Sequence, residues 1–449
     1  MMIKKLFSCV ILLCVIVISC IECSNEKGRH IKALADEYTL VYESPNPDSV
    51  YCGTPGLAML PNGRIIATLD LFGPGVENLP GTKGLRKSTG NYFRGKVFVS
   101  DDRGRSWQHR HDYPFLHARP FTAGGRLYIL GLCDDLMIIR SDDQGDTWSE
   151  PAYLTRNQEW TGAADNVHYT NGCVYLAIEK RHDRGVGGWR VADISPVLMR
   201  APENADLTDP ANWTFASDLV FEDAVNVADI NYVGIPFFES HPKEPLWPAP
   251  DRAMSPMGWL ETNVVQFTDP DHYWFDPQGN TFHLWMRAHT GGTGYAAMAK
   301  VVENEDGSMT TMLETVPSGK TIVLTPFPGG HMKFHIVYDE KSQLFWTVST
   351  QAFDSMTRID RLPADRYNLP NNERRCMILS YSKNMMDWCF AGLVARGQSD
   401  IESRHYASMI IDGDDLHILS RSGNKEAMNP HNVNMITFHT VQNFRDLVW

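Results

Sequence analysis

The chain has 449 residues, of which 43% are apolar and 11% aromatic, and its formal net charge is −13. That acidity argues against a nucleic-acid-binding role driven by a basic surface. The length permits several domains, but all-β folds of this size also exist as one unit.

The N-terminus reads as an export signal. Lys4 and Lys5 form a short basic region, and an apolar run follows from residue 6 to residue 18. The run is too short for a comfortable membrane span and sits where the hydrophobic stretch of a signal belongs. Val17, Ile18, Ser19 and Cys20 resemble the lipobox of bacterial lipoproteins, which implies cleavage before Cys20 and membrane attachment through a lipid on its thiol. Ordinary cleavage near Cys23 or Ser24 is the alternative, and both readings place the protein outside the cytoplasm, at the periplasm or outer surface or secreted. Residues 1–19 are thus set apart as a signal peptide, with 20–40 expected as a linker. Four of the nine cysteines lie in or beside the signal; Cys52, Cys133, Cys173, Cys376 and Cys389 are scattered and show no Cys-x-x-Cys spacing. At most one or two disulfides are expected, and no metal or other cofactor.

From residue 50 onward, short alternating strands are separated by Gly, Asn and Asp turns. Turns at 61–63, 123–125, 170–172, 277–280, 339–341 and 412–414 are each followed by an apolar strand, at 64–69, 126–132, 174–178, 281–286, 344–349 and 416–420. Six copies of one strand–turn–strand unit bury their faces only by stacking on one another, which is the logic of a propeller. The expected fold is all-β, a six-bladed β-propeller over residues 41–449. Its largest insertion, about 221–271, is rich in Pro and aromatic residues, among them Phe237, Phe238, Trp247 and Trp259. It is expected to form a long loop over one face.

The residues that open the inner strand of each repeat cluster at one end of a propeller's channel. Those segments are 51–55, 117–120, 165–169, 271–274, 331–335 and 404–406. They bring together His117, Arg119, Asn166, His168, His272, His331, Lys333, His335, Arg404, His405 and Tyr406. Arg375 is expected beside them, with Arg287 and His289 from the second strand of the fourth repeat. A histidine in five of six repeats at one level points to a functional ring, although a lone strand histidine is more often structural. The cations suit an anionic ligand such as a sugar carboxylate or sulfate. Their alternative role is to pair with Asp165 and Asp271 and knit the blades. A metal ranks below both, because nearby lysine and arginine repel a cation.

Two segments carry a family resemblance. Ser100, Asp102, Gly104, Ser106 and Trp107 match Ser-x-Asp-x-Gly-x-Thr-Trp, and so do Ser141, Asp143, Gly145, Thr147 and Trp148, one blade later. Ser382, Asn384, Asp387 and Trp388 form a copy one residue short. The motif resembles the Asp box of the sialidase superfamily, whose six-bladed propeller the whole region after residue 50 is similar to. The resemblance implies a tyrosine nucleophile at Tyr406, an activating glutamate for which Glu261 in the insertion is the candidate, and an acid/base carboxylate near Glu77. It also implies three arginines gripping a substrate carboxylate. Gly53-Thr54-Pro55 stands where the first should be and 294–297 where the second should be, so only the third is expected, at Arg375 or its neighbour Arg374.

The favoured function is an exo-acting glycoside hydrolase on an acidic or unusual terminal sugar. Tyr406 would be nucleophile, and Glu261, Glu77 or a histidine would protonate the leaving oxygen. A uronate-specific lyase using Arg404, His405 and Tyr406, with His168 or His335 replacing one of them, is a second reading. A non-catalytic surface propeller that binds glycans is a third. The expected partner in each is a carbohydrate, an anionic glycan above all.

Overall fold

The computed structural model describes residues 31–226, 246–249, 252–254, 257–289, 294–353, 361 and 373–449. The signal peptide, Cys20, Phe237 and Phe238 lie outside the described residues. Antiparallel sheets form the six blades of a propeller. In blade one Tyr51–Cys52 and Gly56–Met59 form the inner strand against Ile65–Phe72; in blade two Leu116–Ala123 pairs with Arg126–Cys133. Blade three sets Trp160–Thr161 and His168–Thr170 against Cys173–Arg181, and blade four sets Gly258–Val265 against Thr281–His289. His335–Asp339 with Leu344–Gln351, and Arg404–Asp412 with Asp415–Ser422, open blades five and six. Each apolar strand read from the sequence is thus the second strand of its blade.

Thr39–Glu43 pairs with Met435–Val441 as the outermost strand of blade six, so the two ends of the chain close the ring within one sheet. Leu34 and Ala35 donate backbone N–H groups to Leu393 and Val394. Residues 34–40 therefore belong to the folded unit, Leu34–Trp449, rather than to a linker.

The fourth repeat departs most from expectation. Its inner strand is Gly258–Val265, which lay inside the expected insertion, and Asp271–Trp274 falls in the loop that follows. The reason is burial: all eight residues of that strand are buried, so no polar–apolar alternation marks it. Trp259 is wholly buried between blades three and four, with its indole N–H on the carbonyl of Ile194 at 2.8 Å. The core as a whole consists of apolar clusters between neighbouring blades, as when Trp160 packs with Leu130 and Trp346 with Met409. Burial of such faces, at ~25 cal/mol per Å², is what holds the blades in a ring.

The two Ser-x-Asp-x-Gly segments close tight turns. Asp143 accepts from Ser141 Oγ at 2.8 Å, Thr147 N at 2.8 Å and Thr147 Oγ1 at 2.5 Å, while Ser141 Oγ accepts from Gly145 N at 2.8 Å. Gly104 and Gly145 have φ of 83° and 94°, which a side chain would strain. The tryptophans pack on the apolar clusters that their own blade shares with the preceding one. Trp107 packs edge-on against Phe438 of blade six, and Trp148 stacks on His111 of blade one. Each is a wedge against the preceding blade, and Trp388 repeats the pattern against Phe327. Asp143→Ala removes the acceptor that organises one wedge. The expected result is a thermal midpoint lower by a few degrees with activity per folded molecule unchanged; a loss of specific activity at full stability would contradict this structural role.

Candidate active site

The inner strands of blades two, four and six share one irregularity. Each breaks register at a bulge, between Leu116 and Arg119, between Leu260 and Thr262, and between His405 and Ser408. The bulged residues His117, Glu261 and Tyr406 take φ of 55°, 61° and 54°. Left-handed backbone is costly for residues with a side chain, by ~1–3 kcal/mol each, and such bulges re-aim side chains beside functional sites.

Two of the three meet directly. The Tyr406 hydroxyl donates to Glu261 Oε1, and Arg287 Nη1 lies 3.3 Å from Tyr406 Oη and 3.4 Å from both Glu261 oxygens. Burial and the Glu261 charge push the Tyr406 phenol well up, so the proton stays on the oxygen with a carboxylate base in contact. A phenol in hydrogen-bond contact with a carboxyl group has the geometry that nucleophilic catalysis with a base requires. Glu261 stands on a blade strand, Gly258–Val265, not in an inserted loop.

Two further guanidinium groups pack on the Tyr406 ring, Arg374 at 5.5 Å and Arg421 at 5.3 Å from its centroid. Arg374 Nη1 donates to His405 Nδ1 at 3.1 Å, so that nitrogen is an acceptor and the imidazole is neutral. Burial also drives the His405 pKa far down, aided by the charges of Arg374 and Arg421. Arg374 itself is lowered to about 9 by burial and by Arg421 and Arg287. Arg421 donates to the carbonyl of His431 and stacks on Phe72 at 5.0 Å. The Nε atoms of Arg374 and Arg421 have no hydrogen-bond partner among the described residues. Arg287, Arg374 and Arg421 thus converge on one phenol, although neither Gly53-Thr54-Pro55 nor 294–297, where the first two arginines were sought, supplies one. Gly53 does lack the first arginine, because a Cβ there would collide with the buried Asp70 carboxylate. Arg421 supplies a guanidinium from the second strand of blade six instead.

No protein-family profile and no curated protein sequence matches this chain. Solved structures do. A Hadza microbial sialidase, Hz136, is 14% identical over 90% of this chain and 68% of its own, with a TM-score of 0.51. A Trypanosoma rangeli sialidase, solved as a covalent intermediate with 2,3-difluorosialic acid, is 12% identical over 92% of this chain and 59% of its own, with a TM-score of 0.50. A Penicillium chrysogenum α-L-arabinanase complexed with arabinobiose matches at 10% identity over 92% and 99%, with a TM-score of 0.49. The chain has the six-bladed β-propeller fold of these sialidase structures.

Within that propeller the expected ring divides into levels. His331 lies with the tyrosine, held neutral with its pKa lowered to about 3 by burial and by Arg287 and Arg374. His117 shares Thr54 Oγ1 through Nδ1 at 3.0 Å and is likewise lowered to about 3, first by burial and then by Arg86 and Arg421. His289 packs on Trp189 at 5.1 Å, and the Arg287 guanidinium lies 5.0 Å from the same indole. Below this level, buried ties cross the channel. Arg119 donates to the carbonyls of Ala163 and Ala177, Lys333 donates to Ala407 O at 2.6 Å, and Asp165 lies between them at 3.9 and 3.6 Å. The inner strands then run on to a cavity of about 500 Å³ lined by Asn166, His168 and His335. Asn166 exchanges hydrogen bonds with Val264, and His168 Nε2 contacts Gln266 at 3.0 Å. These residues do not meet Tyr406.

Four other expectations fail for local reasons. Arg375 turns outward to the carbonyls of Gly397 and Gln398, because its neighbour Arg374 takes the inward face. Arg404 caps the carbonyls of Ser403 and Gly423 at 2.8 Å and lies over Tyr38, which separates it from the tyrosine and dismantles the Arg404–His405–Tyr406 lyase set. His272 stacks on Phe267 at 3.6 Å in the loop of blade four. Glu77 is exposed in a short 3₁₀ turn, Pro74–Asn78. A carboxyl that the sequence did not single out takes its interest. Asp70 is buried on the second strand of blade one, accepts His117 N at 3.0 Å, and is pushed up to about 6 by burial against the lowering effect of Arg421.

Proposed function

We propose that this protein is a retaining exo-glycoside hydrolase for terminal sugars that carry a carboxylate on the anomeric carbon, the sialic-acid class of ulosonic acids. The observation that carries the reading is the Tyr406–Glu261 contact ringed by Arg287, Arg374 and Arg421. A carboxylate nucleophile is repelled by a carboxylate at the reacting carbon, whereas a neutral phenol is not, which is why tyrosine serves here in place of the usual acid pair. Three guanidinium groups beside it offer charge-assisted, bidentate bonds to the same carboxylate. The fold shared with solved sialidases agrees with this reading. With residues 1–19 as an export signal, the substrates are glycans outside the cytoplasm.

In the first step Tyr406 Oη attacks the anomeric carbon while Glu261 takes its proton. The glycosidic bond breaks, and Asp70 gives the leaving oxygen a proton. In the second step Asp70 takes a proton from water, the hydroxyl adds to the anomeric carbon, and the phenol leaves with the proton returned by Glu261. The balance is one water added, with retention from two inversions.

Asp70 in its acid form is the proton donor, so ionisation above its value of about 6 removes activity. The expected profile of kcat/KM falls on the alkaline side of pH ~6. Asp70→Asn flattens that limb, and it slows substrates with alkyl leaving groups far more than those with activated phenols. Equal losses on both substrate types would assign Asp70 only to holding the His117 turn. The reaction class itself is read from products of sialosides, other ulosonic acid glycosides, uronate oligomers and pectic fragments, measured by mass. A released sugar that has gained water supports the proposal; an unsaturated uronate in its place overturns it.

A further inference from the structure

We infer that Glu179 is a positioning residue that holds the base Glu261 in its bulge from the neighbouring blade, an inference that rests on the Tyr406–Glu261 reading. Glu179 stands on Cys173–Arg181, the second strand of blade three, and is 1% exposed. Its Oε1 accepts both the backbone N–H of Thr262 at 2.7 Å and the Thr262 hydroxyl at 2.5 Å. Thr262 is the residue directly after Glu261, on the far side of the register break. Room for the carboxyl comes from Gly162, directly after the Trp160–Thr161 strand of blade three, with φ of 147°, where a Cβ would lie 2.5 Å from Glu179 Oε2. Without this acceptor, two donors at the bulge are buried unpaired. A strand freed to slip back into regular pairing turns each side chain to the other face, and Glu261 leaves the phenol.

The other two left-handed turns are held in the same manner. Asp70, from the second strand of blade one, accepts the N–H of His117 in blade two at 3.0 Å. Lys333, next to the inner strand of blade five, donates to Ala407 O in blade six at 2.6 Å. In each case one buried ionisable side chain of an odd-numbered blade ties the bulge of the next blade. The repetition around the ring separates Glu179 from an incidental buried acid. Burial, Asp165 and Glu261 raise Glu179 to about 8, against Thr262 and Arg119, so at neutral pH it resembles an amide in charge. Glutamine therefore reproduces its acceptor oxygen.

The test compares Glu179→Ala, Glu179→Gln and Thr262→Ala in the full-length protein. Misplacement of a base by about an ångström costs ~100-fold in rate, so Glu179→Ala is expected to lower kcat ~100-fold with KM within about threefold. Glu179→Gln is expected to restore kcat to within ~10-fold of the parent, and Thr262→Ala, which keeps the N–H, to fall between them. Crystal structures of the variants provide a readout that needs no substrate. Glu261 displaced from Tyr406 in Glu179→Ala, and in place in Glu179→Gln, supports the inference even if the parent hydrolyses nothing in the product screen. Glu261 unmoved in Glu179→Ala, or glutamine no better than alanine, overturns it whatever the reaction proves to be. Should Glu179→Ala fail to fold, Glu179→Gln and Thr262→Ala decide: full loss of kcat in Glu179→Gln, or none in Thr262→Ala, counts against it.

Discussion

Tyr406→Phe lowers kcat on a sialic-acid-class glycoside by ~10³-fold or more, while KM and the affinity for a carboxylate-bearing inhibitor change little. The variant removes one oxygen from a site that stays otherwise intact. Glu261 keeps Arg287 as its ion-pair partner at 3.4 Å, so no buried charge is stranded, and the ring remains packed beneath Arg374 and Arg421. A purely glycan-binding propeller has no rate for this variant to change. Near-parental turnover would remove Tyr406 from the chemistry, and with it the physical reason for an anomeric carboxylate in the substrate.

Arg421→Met is the second large effect. Methionine keeps much of the apolar length that lies on Phe72 and removes the charge together with the hydrogen bond to the His431 carbonyl. A hydrogen bond to a charged group is worth ~1.5–3 kcal/mol, so kcat/KM on a carboxylate substrate falls roughly 10- to 150-fold. The loss is expected to vanish for an analogue whose carboxylate is replaced by a carboxamide. Arg421 also holds the Asp70 pKa down. Its removal lets that value rise, so Asp70 keeps its proton to higher pH and the alkaline limb of the profile moves up. A limb that stays in place or moves down would break the link between Arg421 and Asp70.

Much of the fold was legible because propeller repeats announce themselves by turns. Blade four escaped because its inner strand is buried on both faces, and a continuous buried run carries no period of two. The site was legible in part. Tyr406, Glu261 and Arg374 followed from the resemblance and Arg287 was expected from the second strand of the fourth repeat, but Arg421 was not singled out. Asp70, Glu179, Arg287 and Arg421 each stand seven residues past a turn residue, Gly63, Gly172, Asn280 and Asp414, on a largely buried second strand. A charge inside such a strand, repeated at one offset in four blades, was the signal to read, since a buried charge is retained only where a partner or a ligand repays its desolvation. The histidines misled because inner-strand residues alternate along the channel. His331 and His405 sit with the tyrosine, while His168 and His335 line the cavity further down the channel. One ring in the sequence is two levels in the molecule.

The most direct test of the tyrosine nucleophile is covalent trapping. The protein is incubated with 2,3-difluorosialic acid, and with the corresponding fluorinated analogue of whichever ulosonic acid the product screen selects, then digested and analysed by peptide mass. The expected result is one sugar per chain, attached to the peptide that contains Tyr406 and absent in Tyr406→Phe. A sugar found on a carboxylate such as Glu261 or Asp70, or rapid turnover of the cognate substrate by a chain that never becomes labelled, would contradict the account.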